Sequence, residues 1–217
     1  MKALLIAGGT IEVSWAADFI KMHNYDKIIA VDGGLSAANL IGICPDIIVG
    51  DLDTVSMELV SLYEQKGISV EKLNPIKDET DTHYAIKKLI SMGVTDIDII
   101  GGMGGRMDHT MQNVYMLKLA YESGVHAVMY DRVNKISVIK GKNKLKRDEL
   151  YGRYISFIQL EEPARDVTMT GFVYEVEHFD FDTAKEYRMG VSNEFKDDTA
   201  TIEIGSGMFV MIEIGGD

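Results

Sequence analysis

One cysteine, three prolines and one tryptophan in 217 residues rule out several classes of protein at the start. With Cys44 alone, no internal disulfide can form and a cysteine-based zinc site is not expected. Cys44 stands between Ile43 and Pro45 and reads as a small core residue. A chain without a disulfide suits a reducing, cytoplasmic setting. No apolar run reaches the ~18 residues of a membrane span. The opening Met1-Lys2-Ala3-Leu4-Leu5-Ile6-Ala7-Gly8-Gly9 is too short in its apolar part for a signal peptide and reads as a first buried strand. Bases are scarce too. The 22 Lys and Arg face 34 Asp and Glu, for a net charge of −12. That field repels nucleic acid and anionic membrane, so neither is expected as a partner. A polyphosphate can still bind where a divalent cation mediates.

What is present is ordinary globular composition, 46% apolar and 26% charged, enough for one large or two small domains. Up to about residue 140 the chain alternates apolar runs with amphipathic stretches. Lys2–Ala7, Lys27–Val31, Asp46–Val49, Ile68–Leu73, Asp96–Ile100 and Val125–Tyr130 read as strands rich in Val, Ile and Leu. Helices are expected near 14–23, 35–42, 56–66, 80–92 and 108–123. Gly67, Gly93 and Gly124 fall where helix-ending glycines belong. The repeat predicts an N-terminal domain, residues 1–140, with a mostly parallel sheet flanked by helices. Trp15 falls in a helix and reads as packing.

In such sheets ligands bind beyond the carboxyl ends of the strands. The unusual residues gather there: Asp32-Gly33-Gly34, Gly50-Asp51-Leu52-Asp53-Thr54, Lys77-Asp78-Glu79-Thr80-Asp81 and Gly101-Gly102-Met103-Gly104-Gly105-Arg106-Met107-Asp108-His109. Asp51 and Asp53, two apart on an extended chain, would project to one side and share a hard cation. Asp32 and one of Asp78 or Asp81 would add oxygen ligands of the kind Mg²⁺ prefers. Gly101–Gly105 can turn main-chain N–H groups toward phosphate oxygens, and Lys77 and Arg106 are phosphate partners. Asp108 suits a helix cap or a substrate contact. His109 and Asn113, four apart, share a helix face. No G-x-x-x-x-G-K-[ST] occurs, and the glycines after the fifth strand lack G-x-G-x-x-G spacing.

After Tyr130 the pattern changes. Asn134–Ile139 reads as a strand leading to a boundary near the basic run Lys140–Arg147, itself a linker or hairpin. Beyond it the period is nearer two. Tyr154–Leu160, Ala164–Met169, Val173–Glu177, Ala200–Ile204 and Met208–Ile214 are expected strands. Glu161-Glu162-Pro163, Asp180–Asp182 and Gly205-Ser206-Gly207 read as turns, and Ser192-Asn193 as a loop. The second domain, residues 141–217, is expected to be all-β and antiparallel, a sandwich or an open barrel.

Taken in order, Asp32-Gly33-Gly34, Gly50-Asp51-x-Asp53-Thr54, Asp78-x-Thr80-Asp81, Gly104-Gly105-Arg106-x-Asp108-His109 and Asn113 resemble the thiamin pyrophosphokinase family. Thr170-Gly171-Phe172-x-Tyr174 and Gly190-Val191-Ser192-Asn193-Glu194 extend the resemblance over nearly the whole chain. Phe172 and Thr54 depart from it conservatively, where Leu and Ser are more usual. The resemblance implies an N-terminal α/β domain and a C-terminal antiparallel β-sandwich, pyrophosphoryl transfer from ATP to thiamin, Mg²⁺, and a homodimer with thiamin near the subunit interface. It implies catalytic roles for Asp51, Asp53, Asp78, Asp81 and Asp108, with Mg²⁺ on Asp51, Asp53 and Asp81. Binding contacts would come from Asp32, Gly33, Lys77, Thr80, Gly104, Gly105, Arg106, His109, Asn113, Ser192 and Asn193, with the Ser192-Asn193 pair on the pyrimidine ring and Phe195 stacking or in the core. Two alternatives stand beside it. Asp51-Leu52-Asp53-Thr54-Val55 fits the D-x-D-x-[TV] nucleophile motif of haloacid-dehalogenase-type phosphatases, though after the third strand rather than the first. A non-catalytic nucleotide- or thiamin-binding module is the other.

Overall fold

Strands covered on both faces need apolar side chains on both, and the first half of the chain supplies them. In the computed structural model, which describes residues 1–74, 78–182, 184–185 and 190–215, the chain forms two compact units, Met1–Arg132 and Val133–Asp217. The division falls ahead of the basic run at Lys140, because Asn134–Ile139 is a strand of the second unit.

In the first unit β1 (Lys2–Ile6), β2 (Lys27–Val31), β3 (Ile47–Gly50), β4 (Ser69–Lys72), β5 (Asp96–Ile100) and β6 (His126–Tyr130) pair in parallel, in the order β4-β3-β2-β1-β5-β6. The helices between them are α1 (Val13–Lys21), α2 (Gly34–Ile41), α3 (Met57–Gln65), α4 (Asp81–Ser91) and α5 (Met107–Glu122). Their ends follow local chemistry. Ser56 and Thr80 accept from the N–H groups of Leu59 and His83, both at 3.2 Å, and so start α3 and α4. Gly93 and Gly124, both at φ 76°, end α4 and α5 in the left-handed region that favours glycine.

The core has a face built on Leu4, Ile6, Phe19, Ile20 and Ile100, and another built on Ala30, Leu35, Ile48, Val60 and Tyr63. Each fully buried Leu or Ile there contributes roughly 2 kcal/mol. Trp15 packs on the first of these and stacks on Phe19 at 5.2 Å. Buried Asp98 is matched by Lys2 Nζ at 2.7 Å and by the Tyr25 hydroxyl, which donates at 2.8 Å. Cys44, expected in the core, is exposed; buried Pro45 and half-buried Ile43 face inward and leave it outside.

The second unit is antiparallel. Its strands are β7 (Asn134–Ile139), β8 (Lys142–Lys146), β9 (Tyr154–Thr170), β10 (Val176–Phe181), β11 (Gly190–Asn193) and β12 (Thr199–Ile214). β9 and β12 pair along most of their length; β7 and β8 pair with successive parts of β12, and β10 and β11 with β9. Their apolar side chains pack into one core that includes Phe157, Phe172, Phe181, Ile202 and Phe209. Three of the expected turns are therefore corrected. Glu161-Glu162-Pro163 lies within β9 and Gly205-Ser206-Gly207 within β12, at a register shift between Ser206 and Met208. A bulge bends a strand without ending its ladder, which sequence alone reads as a turn. Asp180 and Phe181 belong to β10, which starts later than the expected strand at Val173. The basic run is the hairpin strand β8, with Lys142, Lys144 and Lys146 exposed.

Candidate active site

After β1 the chain leaves to one side for β2, β3 and β4, then returns across β1 to build β5. The strand order reverses between β1 and β5, and a crevice opens there at the carboxyl ends of the strands. A cavity of about 740 Å³ occupies this rim of the first unit. Its floor is main chain. A Cβ on Gly9 would stand 2.4 Å from the Gly101 carbonyl oxygen, and one on Gly34 would stand 2.0 Å from that of Ile6. Only glycine lets those turns approach so closely. Gly9 N–H donates to Gly101 at 2.8 Å, and Thr10 N–H to Met103 at 3.0 Å.

The carboxylates enter from separate elements. Asp32 follows β2, Asp51 and Asp53 follow β3, and Asp81 opens α4 behind Thr80; all line the cavity with Gly33, Gly104, Gly105, Arg106, His109 and Asn113. Asp32 is mostly buried and its carboxyl is pushed up to about 7, first by burial, then by the charge and hydrogen bond of Asp81 and the charge of Asp51. Acids crowded this closely repel unless a proton or a cation intervenes. Among the described residues, however, no three Asp, Glu, His or Cys side chains already stand around one point in ligating geometry. The donor set suits a hard cation in its chemistry, and ligation would need these side chains to close on it.

The extended geometry expected for Asp51 and Asp53 is corrected. β3 ends at Gly50, and Leu52 takes φ 62°, so the two acids sit in a turn. Asp53 N–H donates to Asp51 Oδ1 at 3.1 Å. Asp108 does not cap α5. Arg106 is the cap residue, and its guanidinium grips the Asp108 carboxylate through Nη2 and, at 3.2 Å, Nε. That grip holds the Asp108 carboxyl below the usual carboxylate range. Asp108 and Asp78 are exposed and are not in the cavity wall. Asn113 is buried and donates to the Gly102 carbonyl at 2.7 Å, so it braces the glycine turn. Lys77 lies outside the described residues. The wall also contains Gly8, Gly9 and Thr10 of the loop after β1, together with Glu79, Thr82 and Thr110, which the sequence reading did not single out. Gly8-Gly9 directly after the first strand was the available signal.

In the second unit Ser192 and Asn193 lie in β11, not in a loop. Ser192 is exposed at φ 55°, its N–H donating to Ser156 Oγ at 3.0 Å. Asn193 is buried. Its Nδ2 donates to the Tyr174 carbonyl at 2.9 Å and its Oδ1 accepts from Tyr174 and Glu194 N–H, both at 3.0 Å. Phe195 is a core residue, edge-on to Phe172 at 5.3 Å.

A doubly wound sheet with glycine turns and carboxylates at its switch point, continued by a β-sandwich, is a two-domain α/β-plus-β ligand-binding protein. The comparisons narrow the class. The family model described as the thiamin pyrophosphokinase catalytic domain matches residues 21–129, and the model of its vitamin B1 binding domain matches residues 142–209. Thiamine pyrophosphokinase of Bacillus subtilis is 28% identical over 185 residues, covering 85% of each chain. Thiamin pyrophosphokinase 1 of Caenorhabditis elegans is 26% identical over 178 residues, covering 78% of this chain and 70% of the relative. The crystal structure of the Bacillus subtilis enzyme aligns with a TM-score of 0.86 at 25% identity over the whole of both chains. Yeast thiamin pyrophosphokinase aligns at 0.81 with 19% identity, over 98% of this chain and 86% of that one, and speaks to fold alone. The chain belongs to the thiamin pyrophosphokinase family.

Proposed function

We propose that this chain transfers a pyrophosphoryl group from ATP to the hydroxyl of thiamin, giving thiamin diphosphate and AMP. One observation carries the reading: acids from three separate elements and a glycine turn share one cavity at the switch point. Such transfer needs charge neutralisation and in-line placement more than covalent help from the protein. The thiamin oxygen bonds to the β phosphorus, the bond to the α phosphate breaks, and AMP leaves. Asp51, Asp53 and Asp81 would hold a Mg²⁺ that offsets charge on the triphosphate oxygens. Main-chain N–H groups of Gly101–Gly105, which line the cavity, would meet the phosphates together with the N-terminal turns of α4 and α5. Arg106 would exchange part of its grip on Asp108 for a phosphate oxygen. A carboxylate, Asp78 or Asp108, would take the hydroxyl proton late in the step, and the grip of Arg106, which stabilises the charged form of Asp108, lowers that acid's affinity for the proton.

Ser192, exposed on its left-handed backbone, is the better placed of the β11 pair to meet the thiamin ring, while Asn193 holds the segment's shape. A homodimer is part of this reading, and the exposed apolar row Met107, Met111 and Tyr115 along α5 supports it. The lone free cysteine fits the cytoplasm. Among the described residues no helix is long and apolar enough to cross a membrane. Incubation with ATP, Mg²⁺ and thiamin should release AMP only when thiamin is present. AMP that appears without thiamin, or none at all, would refute the proposal.

A further inference from the structure

The loops bearing Asp32 and Asp51–Asp53 meet through one carboxylate. Asp32 Oδ1 accepts the Leu52 N–H at 3.3 Å. The space for that carboxylate exists because residue 50 is glycine. A Cβ there would stand 1.8 Å from Asp32 Oδ1 and 2.6 Å from its Cγ. The backbone around this contact is unusual at each participant: Asp32 at φ 46°, Gly50 at φ 146° and Leu52 at φ 62°. Such conformations persist only where the surroundings over-determine them. Here they do. Asp32 N–H donates to the Val49 carbonyl at 3.0 Å, the Gly50 carbonyl accepts from Leu73 N–H at 2.8 Å, and the Leu52 side chain is buried beside Ala30 and Ile48.

We propose that Asp32 and Gly50 are positioning residues, in which the Asp32 carboxylate, admitted by the missing Cβ of Gly50, pins the Leu52 amide and so sets the turn that aims Asp51 and Asp53 into the cavity. The proposal rests on the function given above. It assigns Asp32 to the shape of the turn rather than to contact with phosphate or cation. Asp32 Oδ1 is thus tied to the main chain of the neighbouring acidic loop.

Thermal melting of the ligand-free protein tests the pin with no assumption about the reaction. Asp32→Gly removes the carboxylate and tolerates the left-handed backbone. Gly50→Ala intrudes on it. If the added methyl acts through Asp32, the double variant loses less in Tm than the two single losses added together. A double loss equal to that sum overturns the proposal. Turnover gives the second arm. Asp32→Asn keeps an oxygen acceptor and a side chain that tolerates positive φ, so kcat stays within about tenfold of wild type. Asp32→Gly and Gly50→Ala lose about a hundredfold, the scale of an ångström's misplacement. If Asp32→Asn falls as far as Asp32→Gly, Asp32 acts through its charge, and the proposal is overturned. An inactive wild type would count against the proposed function alone, and the melting cycle would still decide the pin.

Discussion

The two units treat their polar side chains in opposite ways. In the second unit they are matched internally. Buried Glu213 pairs with Lys135 Nζ at 2.7 Å and accepts the Tyr151 N–H at 2.8 Å, and Asn193 is tied to main chain. In the first unit, acids are pushed together at loop tips, and the Asp32 carboxyl is raised by burial and by its acidic neighbours. A fold that removes such conflicts in one half and concentrates them in the other shows where charge is expected to arrive. Sheet type contributes to the contrast. Parallel strands send every carboxyl-end loop to one rim, whereas antiparallel strands scatter theirs to both ends.

The contrast can be broken by removing rim charge without touching the core. Asp53 is exposed on the cavity wall, so Asp53→Asn should leave Tm near wild type while kcat falls by roughly a hundredfold or more, the scale of one lost electrostatic partner. Near-normal turnover in that variant would remove Asp53 from the cation site. The opposite dissection is in the sandwich core. Phe172 is fully buried between Phe157 and Phe195, so Phe172→Ala should destabilise by about 3–5 kcal/mol in denaturant melts. A smaller effect is expected at Arg106. Arg106→Lys keeps the charge but loses the fork, and kcat/KM should drop on the order of tenfold.

The pH dependence sharpens the same contrast. Asp32 titrates near 7 in the folded chain and near ~4 when unfolded. The folded form therefore binds the extra proton between those values, so this group's contribution to stability falls as pH rises through about 4 to 7. Without divalent cation, the wild-type Tm should decline across that window more steeply than the Tm of Asp32→Asn. Equal slopes would mean that the carboxyl is not perturbed. The smallest effect belongs to the second unit. His178 Nδ1 lies 2.6 Å from Asp166 Oδ1, which raises the imidazole pKa. That raised pKa stabilises at pH values below the ordinary histidine range and is lost as pH rises through the folded value. His178→Ala should cost a degree or so of Tm at about pH 5.5 and nothing at about pH 8.5.

The alternating pattern of the first half told strands from helices because helices must cover both faces of a parallel sheet. The loops after β2, β3 and β5 and the start of α4 reach the cavity as their residues implied. The loop after β1 went unread, because only strand order shows that β5 returns to lie beside β1. The Asp51-Leu52-Asp53 turn was misjudged for a different reason. Nothing about a leucine announces φ 62°; the Asp32 contact and its burial impose it. In the second unit, Gly205-Ser206-Gly207 has the composition of a turn, yet cross-strand pairing from Arg165 carries the strand through it.

ATP labelled at the β phosphorus tests the central claim most directly. With Mg²⁺ and thiamin, the account predicts that label passes into thiamin diphosphate while AMP emerges unlabelled, and that Asp53→Asn nearly abolishes the transfer. Labelled ADP with thiamin monophosphate, or label that never leaves ATP, would contradict it.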